Sequence, residues 1–282
     1  MTAARMILKK RRKAVPMIEH GLPGTLIPVQ PPFTLQAHKR APGNVLVVAP
    51  HPDDDVIGAG GMMALLARNS SAVFSLYVTD GRNSRAALPA AAKKKMAMVR
   101  RREALAALKT VKACGAVFFD YGSEELRDTK RGEALKAIRE VFLFFRPEAV
   151  YIPAPLDRHP THQTVLRLAL AALRSIRGFA PRLFGYSIWG GVYGVKGLNT
   201  VDISSVVNLK KKAIRMHRSQ IAFKAYDEGI LARNRYEAVF AETHGLEQCR
   251  YVESFLDMQQ LITDKKLSIL RFVRQLFARV EL

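Results

Sequence analysis

Asn44-Val45-Leu46-Val47-Val48-Ala49-Pro50-His51-Pro52-Asp53-Asp54-Asp55, followed by Gly58-Ala59-Gly60-Gly61, joins an uncharged run to an acidic cluster. Residues 44–49 are mostly β-branched or Leu, the composition of a strand buried on both faces, and such strands belong to parallel sheets. The acidic cluster falls at the strand's carboxyl end, the edge where open α/β sheets bind ligands. His51 and three aspartates within five residues repel one another if left unpaired. A divalent metal relieves that repulsion. Imidazole nitrogen and carboxylate oxygen bind zinc at about 2.0 to 2.2 Å, so His51 and one aspartate can supply two ligands. A helix N-cap ahead of Val56 needs a single Asp; three carboxylates and a histidine exceed that requirement, and the metal reading is preferred.

Outward from this segment, strands and helices alternate. A helix begun near Gly60 runs through Arg68, and Ala72 to Thr79 forms a second strand ending in Thr79-Asp80-Gly81. A loop with Arg82, Ser84 and Arg85 follows. Lys93 to Ala113 has helical spacing, Val117 to Phe119 forms a short strand, Gly132 to Phe145 a helix and Ala149 to Ile152 a fourth strand. This alternation predicts an α/β fold with a mainly parallel sheet and right-handed crossovers. The fourth strand runs into Asp157-Arg158-His159-Pro160-Thr161-His162, on the same sheet edge as His51. His159 and His162, three apart at the entrance to a helix over 164–176, share one side of its first turn, so one can coordinate metal while the other faces substrate. Beyond Pro181 the pattern loosens: Leu183 to Trp189 and Thr200 to Ile203 are candidate strands of an antiparallel extension, and Ser204 caps a helix that delivers His217-Arg218-Ser219-Gln220.

The 282 residues suffice for one large α/β domain with extensions. Two distant cysteines, Cys114 and Cys249, form no disulfide framework or Cys-based zinc pattern, which favours a reducing, cytoplasmic compartment. No signal-peptide core follows the basic N-terminus and no run of about 18 apolar residues predicts a membrane span. The net charge of +21 concentrates anions: phosphates, acidic lipid heads or nucleic acid. Residues 1–40 hold eight Lys or Arg against the single Glu19, with several prolines and no periodicity, the pattern of an extended basic arm, with partial ordering against the domain as an open alternative. At the other end, Leu267, Leu270, Val273, Phe277 and Val280 recur at helical spacing beside Lys265, Lys266, Arg271, Arg274 and Arg279. That basic amphipathic helix, over 261–282, is expected to pack on its own domain, with attachment to an anionic membrane surface as the other use.

At these residues the chain resembles the LmbE-like, or PIG-L, family of zinc-dependent N-deacetylases. The resemblance spans residues 44–255 and rests on Ala49-His51-Pro52-Asp53-Asp54 with Gly60-Gly61, and on His159-Pro160-Thr161-His162. Thr79-Asp80-Gly81, Arg102-Glu103-Ala104, His217 to Gln220 and Tyr251 to Phe255 add weaker matches in the family's order. It implies a Rossmann-like three-layer sandwich over 41–260. It also implies zinc, or another divalent metal, on His51, Asp54 and His162, with Asp53 as general base and His159 assisting at the carbonyl oxygen or the leaving amine. Family substrates are mostly N-acetylglucosaminyl compounds, so an N-acetylated amino sugar is the expected substrate. The basic segments favour an anionic or lipid-linked one and peripheral contact with an anionic membrane at its inner face. Asp80, Arg82, Ser84, Arg85 and His217 are the candidate substrate contacts.

Two positions depart from the family pattern. Asp55 stands where Glu is usual, and Thr161 where an Asp between the two histidines is common. A threonine holds no negative charge, so His159 is expected to be less basic unless Asp157 substitutes; Asp55, Asp157 and Thr161 are the expected supporting residues. Competing readings are a nucleic-acid-binding protein, which the charge favours but no motif supports, and a metal-binding member without catalysis.

Overall fold

A computed structural model describes residues 24–29, 43–84, 88–190, 195, 198–240 and 249–277. Its centre is an eight-stranded sheet in the order β1-β4-β3-β2-β5-β6-β8-β7. The strands are β1 (Thr25–Pro28), β2 (Asn44–Ala49), β3 (Ala72–Thr79), β4 (Gly115–Tyr121), β5 (Ala149–Pro153), β6 (Arg182–Tyr186), β7 (Leu198–Asp202) and β8 (Val252–Asp257). Strands β4, β3, β2, β5 and β6 run parallel, as the alternating pattern predicts. The outer pairings, β1 with β4 and β8 with β6 and β7, are antiparallel.

The two faces of β2 show why its sequence lacks polar residues. Val45, Val47 and Ala49 join one core with helices α1 (Asp54–Arg68), α2 (Ala90–Thr110) and α6 (Val207–Met216). Leu46 and Val48 join the opposite core with α4 (Arg131–Phe145) and α5 (Pro160–Ser175). Alternate side chains of a strand point to opposite faces, so a central strand under two helical layers must be apolar throughout. The result is the three-layer sandwich expected from the resemblance. Three further helices complete the middle of the chain: α3 (Ser123–Asp128), α7 (Arg218–Ile221) and α8 (Tyr226–Val239).

Ser204 is not the expected cap of α6, whose N-cap position is Val206; its hydroxyl oxygen accepts the Arg250 and Tyr251 N–H groups instead. Four further local outcomes differ from the sequence reading. Helix α1 begins at Asp54 rather than near Gly60, and its backbone breaks at Ala59 (φ −139°, ψ 16°). Beside that break the Gly61 and Met62 N–H groups donate to the Glu253 carboxylate at 2.8 and 2.7 Å, and buried Lys210 Nζ completes the group at 2.6 Å. The glycines of this helix are steric: a Cβ at Gly58 would overlap the Tyr186 ring, and one at Gly61 would sit 2.6 Å from Ile203 Cγ2. Second, part of the expected basic arm belongs to the sheet, because Thr25–Pro28 pairs with β4 as its edge strand. Third, the sequence motif around Glu253 is a strand, β8, whose long-range pairing no local pattern announces. Fourth, the expected helix from 261 is two helices, α9 (Gln260–Thr263) and α10 (Ile269–Phe277). Asp264 Oδ1 turns the chain between them by accepting the Lys266 N–H at 2.9 Å, and Ser268 Oγ caps the new start by accepting the Arg271 N–H at 3.2 Å. Leu267 and Phe272 are buried in the α4–α5 core with Ile269 and Leu276 packed against it, so the segment packs on its own domain through these residues, whereas Leu270 and Phe277 of the expected stripe are exposed. No helix among the described residues is long and apolar enough to cross a membrane.

Candidate active site

The chain moves outward from β2 to β3 and β4, then returns to place β5 on the other side of β2. Loops leaving β2 and β5 therefore diverge to opposite faces and open a crevice at their carboxyl ends, the switch point where such sheets bind ligands. The first loop carries His51 to Asp54; the second carries Asp157 to His162. Thr79 ties β3 to this edge, donating its N–H and hydroxyl to the Pro50 carbonyl at 2.9 and 2.7 Å.

Three donor atoms meet across the crevice. His51 Nδ1 lies 3.0 Å from Asp54 Oδ2, His162 Nε2 lies 3.3 Å from Asp54 Oδ2, and His162 Nε2 lies 3.3 Å from His51 Nδ1. Bonds of about 2.0 to 2.2 Å in a tetrahedron require donors about 3.3 to 3.6 Å apart, so this triangle fits a zinc-sized ion with slight expansion. A wider set, His51, His159 and His162, keeps its nitrogens within 4.8 Å of one another; the Asp54 triangle is the tighter fit and supplies an anionic ligand.

The electrostatics of the triangle also call for a cation. Burial favours the neutral form of Asp54, but His162 and His51 together hold its carboxyl well below the usual range. Burial likewise opposes a charged His162, yet Asp54 and Asp157 raise it to about 10. A metal would take the place of that proton. Behind the donors, Asp157 Oδ2 sits 2.9 Å from His162 Nδ1, an ion-pair contact whose angle falls short of a hydrogen bond. Ser123 Oγ is 3.4 Å from His51 Nε2. Such outer partners fix which ring nitrogen faces the metal.

Asp53 occupies the N-cap position of α1 but makes no side-chain cap hydrogen bond. Its Oδ1 instead accepts from Arg100 Nη2 at 2.7 Å, while the same guanidinium donates to the Pro52 and Gly81 carbonyls at 3.1 and 3.3 Å. Burial raises the Asp53 carboxyl to about 7 against the pull of Arg100. Gly81 has φ +68°, and a Cβ there would collide with the guanidinium, so the turn and Arg100 fit only as a pair.

His159 lines the same cavity, its ring centroid 5.1 Å from that of His51 and 4.4 Å from that of His162. Burial, with the neighbouring histidines, lowers its imidazole to about 4. Its Nδ1 and the Thr161 hydroxyl are both buried without hydrogen-bond partners. Asp157 does not fill the place beside the His159 ring: it accepts the His159 backbone N–H at 2.9 Å and gives its other oxygen to His162. Asp55 lies behind the site, accepting from Ser75 Oγ and Tyr77 OH, each at 2.6 Å.

The candidate substrate contacts divide. Ser84 lines the cavity, together with Gly81 and Asn83. Asp80 and Arg82 are bound to each other, with Arg82 Nε 2.6 Å from Asp80 Oδ2 and Nη2 donating to the Asp120 carbonyl, and neither forms part of the wall. Their adjacency in the turn makes the pair. His217 is buried behind the wall with both ring nitrogens unpartnered, and burial first, then Arg100, lowers it to about 3; its neighbour Gln220 reaches the cavity instead. Arg85 lies outside the described residues. The cavity, about 320 Å³, is also lined by Arg100, Ser123, Arg127, Trp189 and Tyr226, none of which the sequence reading placed there. Only the chain's single tryptophan carried a signal, its rarity.

The family model described as PIG-L, GlcNAc-PI de-N-acetylase, matches residues 46–173, from β2 through α5 and thus across every residue of the donor triangle. Diacetylchitobiose deacetylase of Thermococcus kodakarensis is 30% identical over 194 residues, covering 62% of this chain and 69% of that protein. Among solved structures, N,N'-diacetylchitobiose deacetylase from Pyrococcus horikoshii complexed with its inhibitor MPG superposes with a TM-score of 0.63 at 23% identity, covering 93% of this chain and 95% of that one. GalB, the 4-carboxy-2-hydroxymuconate hydratase of Pseudomonas putida KT2440, has a TM-score of 0.62 at 22% identity, covering 76% and 95%. At these identities the two structures establish a shared fold.

Proposed function

This chain belongs to the PIG-L family, and from that premise we propose that it is a zinc-dependent N-deacetylase, hydrolysing the acetamide of an N-acetylglucosaminyl-type sugar. The fold does not choose the reaction, since a hydratase shares it. The observation that carries the reading is the 3.0 to 3.3 Å donor triangle with a buried carboxylate of pKa about 7 beside it.

In this reading His51 Nδ1, Asp54 Oδ2 and His162 Nε2 hold the metal. Zinc bound there supplies Lewis acidity, polarising the amide carbonyl and bringing a water's pKa near 7. Asp53, with Oδ1 held by Arg100, takes the proton as water attacks the carbonyl carbon. The same group returns the proton to nitrogen as the C–N bond breaks, releasing acetate and the free amine. His159, neutral at pH 7, donates a hydrogen bond to the developing oxyanion; a neutral imidazole serves this purpose without a charge to neutralise. The Thr161 departure is then compatible with catalysis. The finer form of the proposal is an anionic or lipid-linked substrate met at an anionic membrane from the cytoplasmic side, with the basic side chains within residues 1–40 and 261–282 as the attracting charge. Its support is the net charge of +21 alone, since Arg127 in the cavity wall is matched there by Glu124.

Acetate release from N-acetylglucosaminyl substrates by the zinc-loaded protein tests the reading. Turnover abolished by chelation and restored by zinc is the expected result; full metal occupancy with no acetate from any such substrate would overturn it.

A further inference from the structure

We propose that Trp189 is a carbohydrate-stacking platform beside the reaction centre, which gives the enzyme a preference for substrates carrying a second sugar ring. The proposal rests on the amino-sugar reading of the same cavity and specifies how the rest of the substrate is held.

Trp189 lines the cavity while remaining 51% exposed. An indole half open to water forgoes burial that its large apolar surface would favour, and the surrounding backbone shows that it is held out. Arg233 clamps the loop through three carbonyls, donating to Ser187 O at 3.1 Å, Ile188 O at 3.2 Å and Gly190 O at 3.4 Å. From the other side, Asp157 Oδ2 accepts the Trp189 N–H at 3.3 Å. Tyr226, also in the cavity wall, braces the ring in an edge-on contact with centroids 5.5 Å apart, and Lys224 Nζ lies 5.7 Å from the ring centroid.

The carboxylate oxygen that accepts the Trp189 N–H is the one paired with His162 Nδ1. The backbone at Trp189 is therefore tied to the reaction centre, and its indole stands in the wall of the same cavity. A sugar whose acetamide reaches Asp53 and the donor triangle leaves its attached ring toward the rim. Pyranose rings with equatorial hydroxyls expose a face of C–H groups, and a rigid aromatic surface matches that face at little entropic cost because it is already in place. The same cavity wall carries polar side chains, Ser84 and Gln220 among them, that can meet the hydroxyl edges. Such polar groups around an aromatic anchor suit a saccharide better than an acyl chain.

Because Trp189 is the chain's only tryptophan, its emission reports on this one position. In the zinc-loaded full chain, N,N'-diacetylchitobiose should shift or quench that emission saturably, and N-acetylglucosamine should do so far more weakly. In kinetics, Trp189→Ala should reduce the preference for disaccharide over monosaccharide by about ten-fold, the size expected for one aromatic stacking contact. That loss should appear in KM rather than kcat, and Trp189→Phe should recover part of it. Acetate release with emission unmoved by the disaccharide, or with the preference unchanged in Trp189→Ala, overturns the platform and leaves the deacetylase reading standing. Saturable quenching without acetate supports the platform and removes the deacetylase reading. Absence of both the quenching and the change in preference overturns the platform outright.

Discussion

Asp157 Oδ2 lies 2.9 Å from His162 Nδ1, so the His162 ring is turned with Nε2 toward His51 and Asp54. Asp157→Asn retains the shape but removes the charge, and outer-sphere losses of this kind weaken metal binding by about 10- to 100-fold. Zinc competition against a chelator should show that loss, whereas His162→Ala should remove nearly all bound metal. Equal zinc affinity in Asp157→Asn and the parent protein would show that the carboxylate does not tune the ligand.

Asp53 sets the acid limb of the rate profile. Its carboxyl is raised from 3.8 to about 7, chiefly by burial, and must be ionised to act as base, so turnover falls as pH drops through the folded-state pKa. A bound dication pulls that pKa down, which puts the limb of the zinc enzyme at or below about 7. Asp53→Asn should lower kcat by about 10² to 10⁴ with zinc retained. Arg100→Met removes the charge that opposes burial, and the limb should move to higher pH. A limb that stays in place or moves down would separate Arg100 from the base. The same shift affects stability with the opposite sign: between pH 3.8 and about 7 the folded state holds a proton that the unfolded state has released, so this group's contribution to stability declines as pH rises through that window.

The Lys210–Glu253 pair, 2.6 Å apart, joins the break in α1 to β8 and is almost wholly buried. Glu253→Gln leaves the ammonium without its counter-charge, and breaking a buried pair by removing one partner costs about 3 to 5 kcal/mol. Denaturant unfolding should register that loss, and Lys210→Met/Glu253→Gln should recover much of it. A single variant as stable as the parent would mean that Lys210 finds another partner or loses its proton without cost.

Both halves of the site were readable in the sequence because parallel strands bring their carboxyl ends to one edge: polar clusters after two apolar runs could be assigned to the same crevice. The same logic does not reach Arg100. It is one of three consecutive arginines on α2, and only the packing of that helix decides that Arg100 turns inward while Arg101 meets Asp120 at the surface. Trp189 and Tyr226 were hidden for a different reason. They follow β6 and α7, where the alternating pattern gives way to short helices and to an irregular loop held by the distant Arg233. The edge strand β1 has only four residues and ends in proline, too little for a periodic signal.

Thr161 and His159 allow the role of His159 at the oxyanion to be tested. The Thr161 hydroxyl and His159 Nδ1 are both buried without partners, and burial, with the two neighbouring histidines, puts the imidazole at about 4. In the parent protein His159 is therefore neutral across the working range and contributes no alkaline limb. Thr161→Asp places a carboxylate two residues away on the same helix entrance, and an opposite charge within about 4 to 6 Å favours the imidazolium. His159 should then titrate nearer neutrality, and a new limb should appear at its raised pKa while zinc content stays constant. The sign of the limb identifies the role. A rate that rises as His159 takes up its proton means that a charged acid outperforms the neutral donor; a rate that falls means that the neutral hydrogen bond to the oxyanion is the function. Adding His159→Gln to Thr161→Asp should remove the limb in either case. A profile that Thr161→Asp leaves unmoved, with the carboxylate shown by structure to contact the ring, would withdraw His159 from the chemical step.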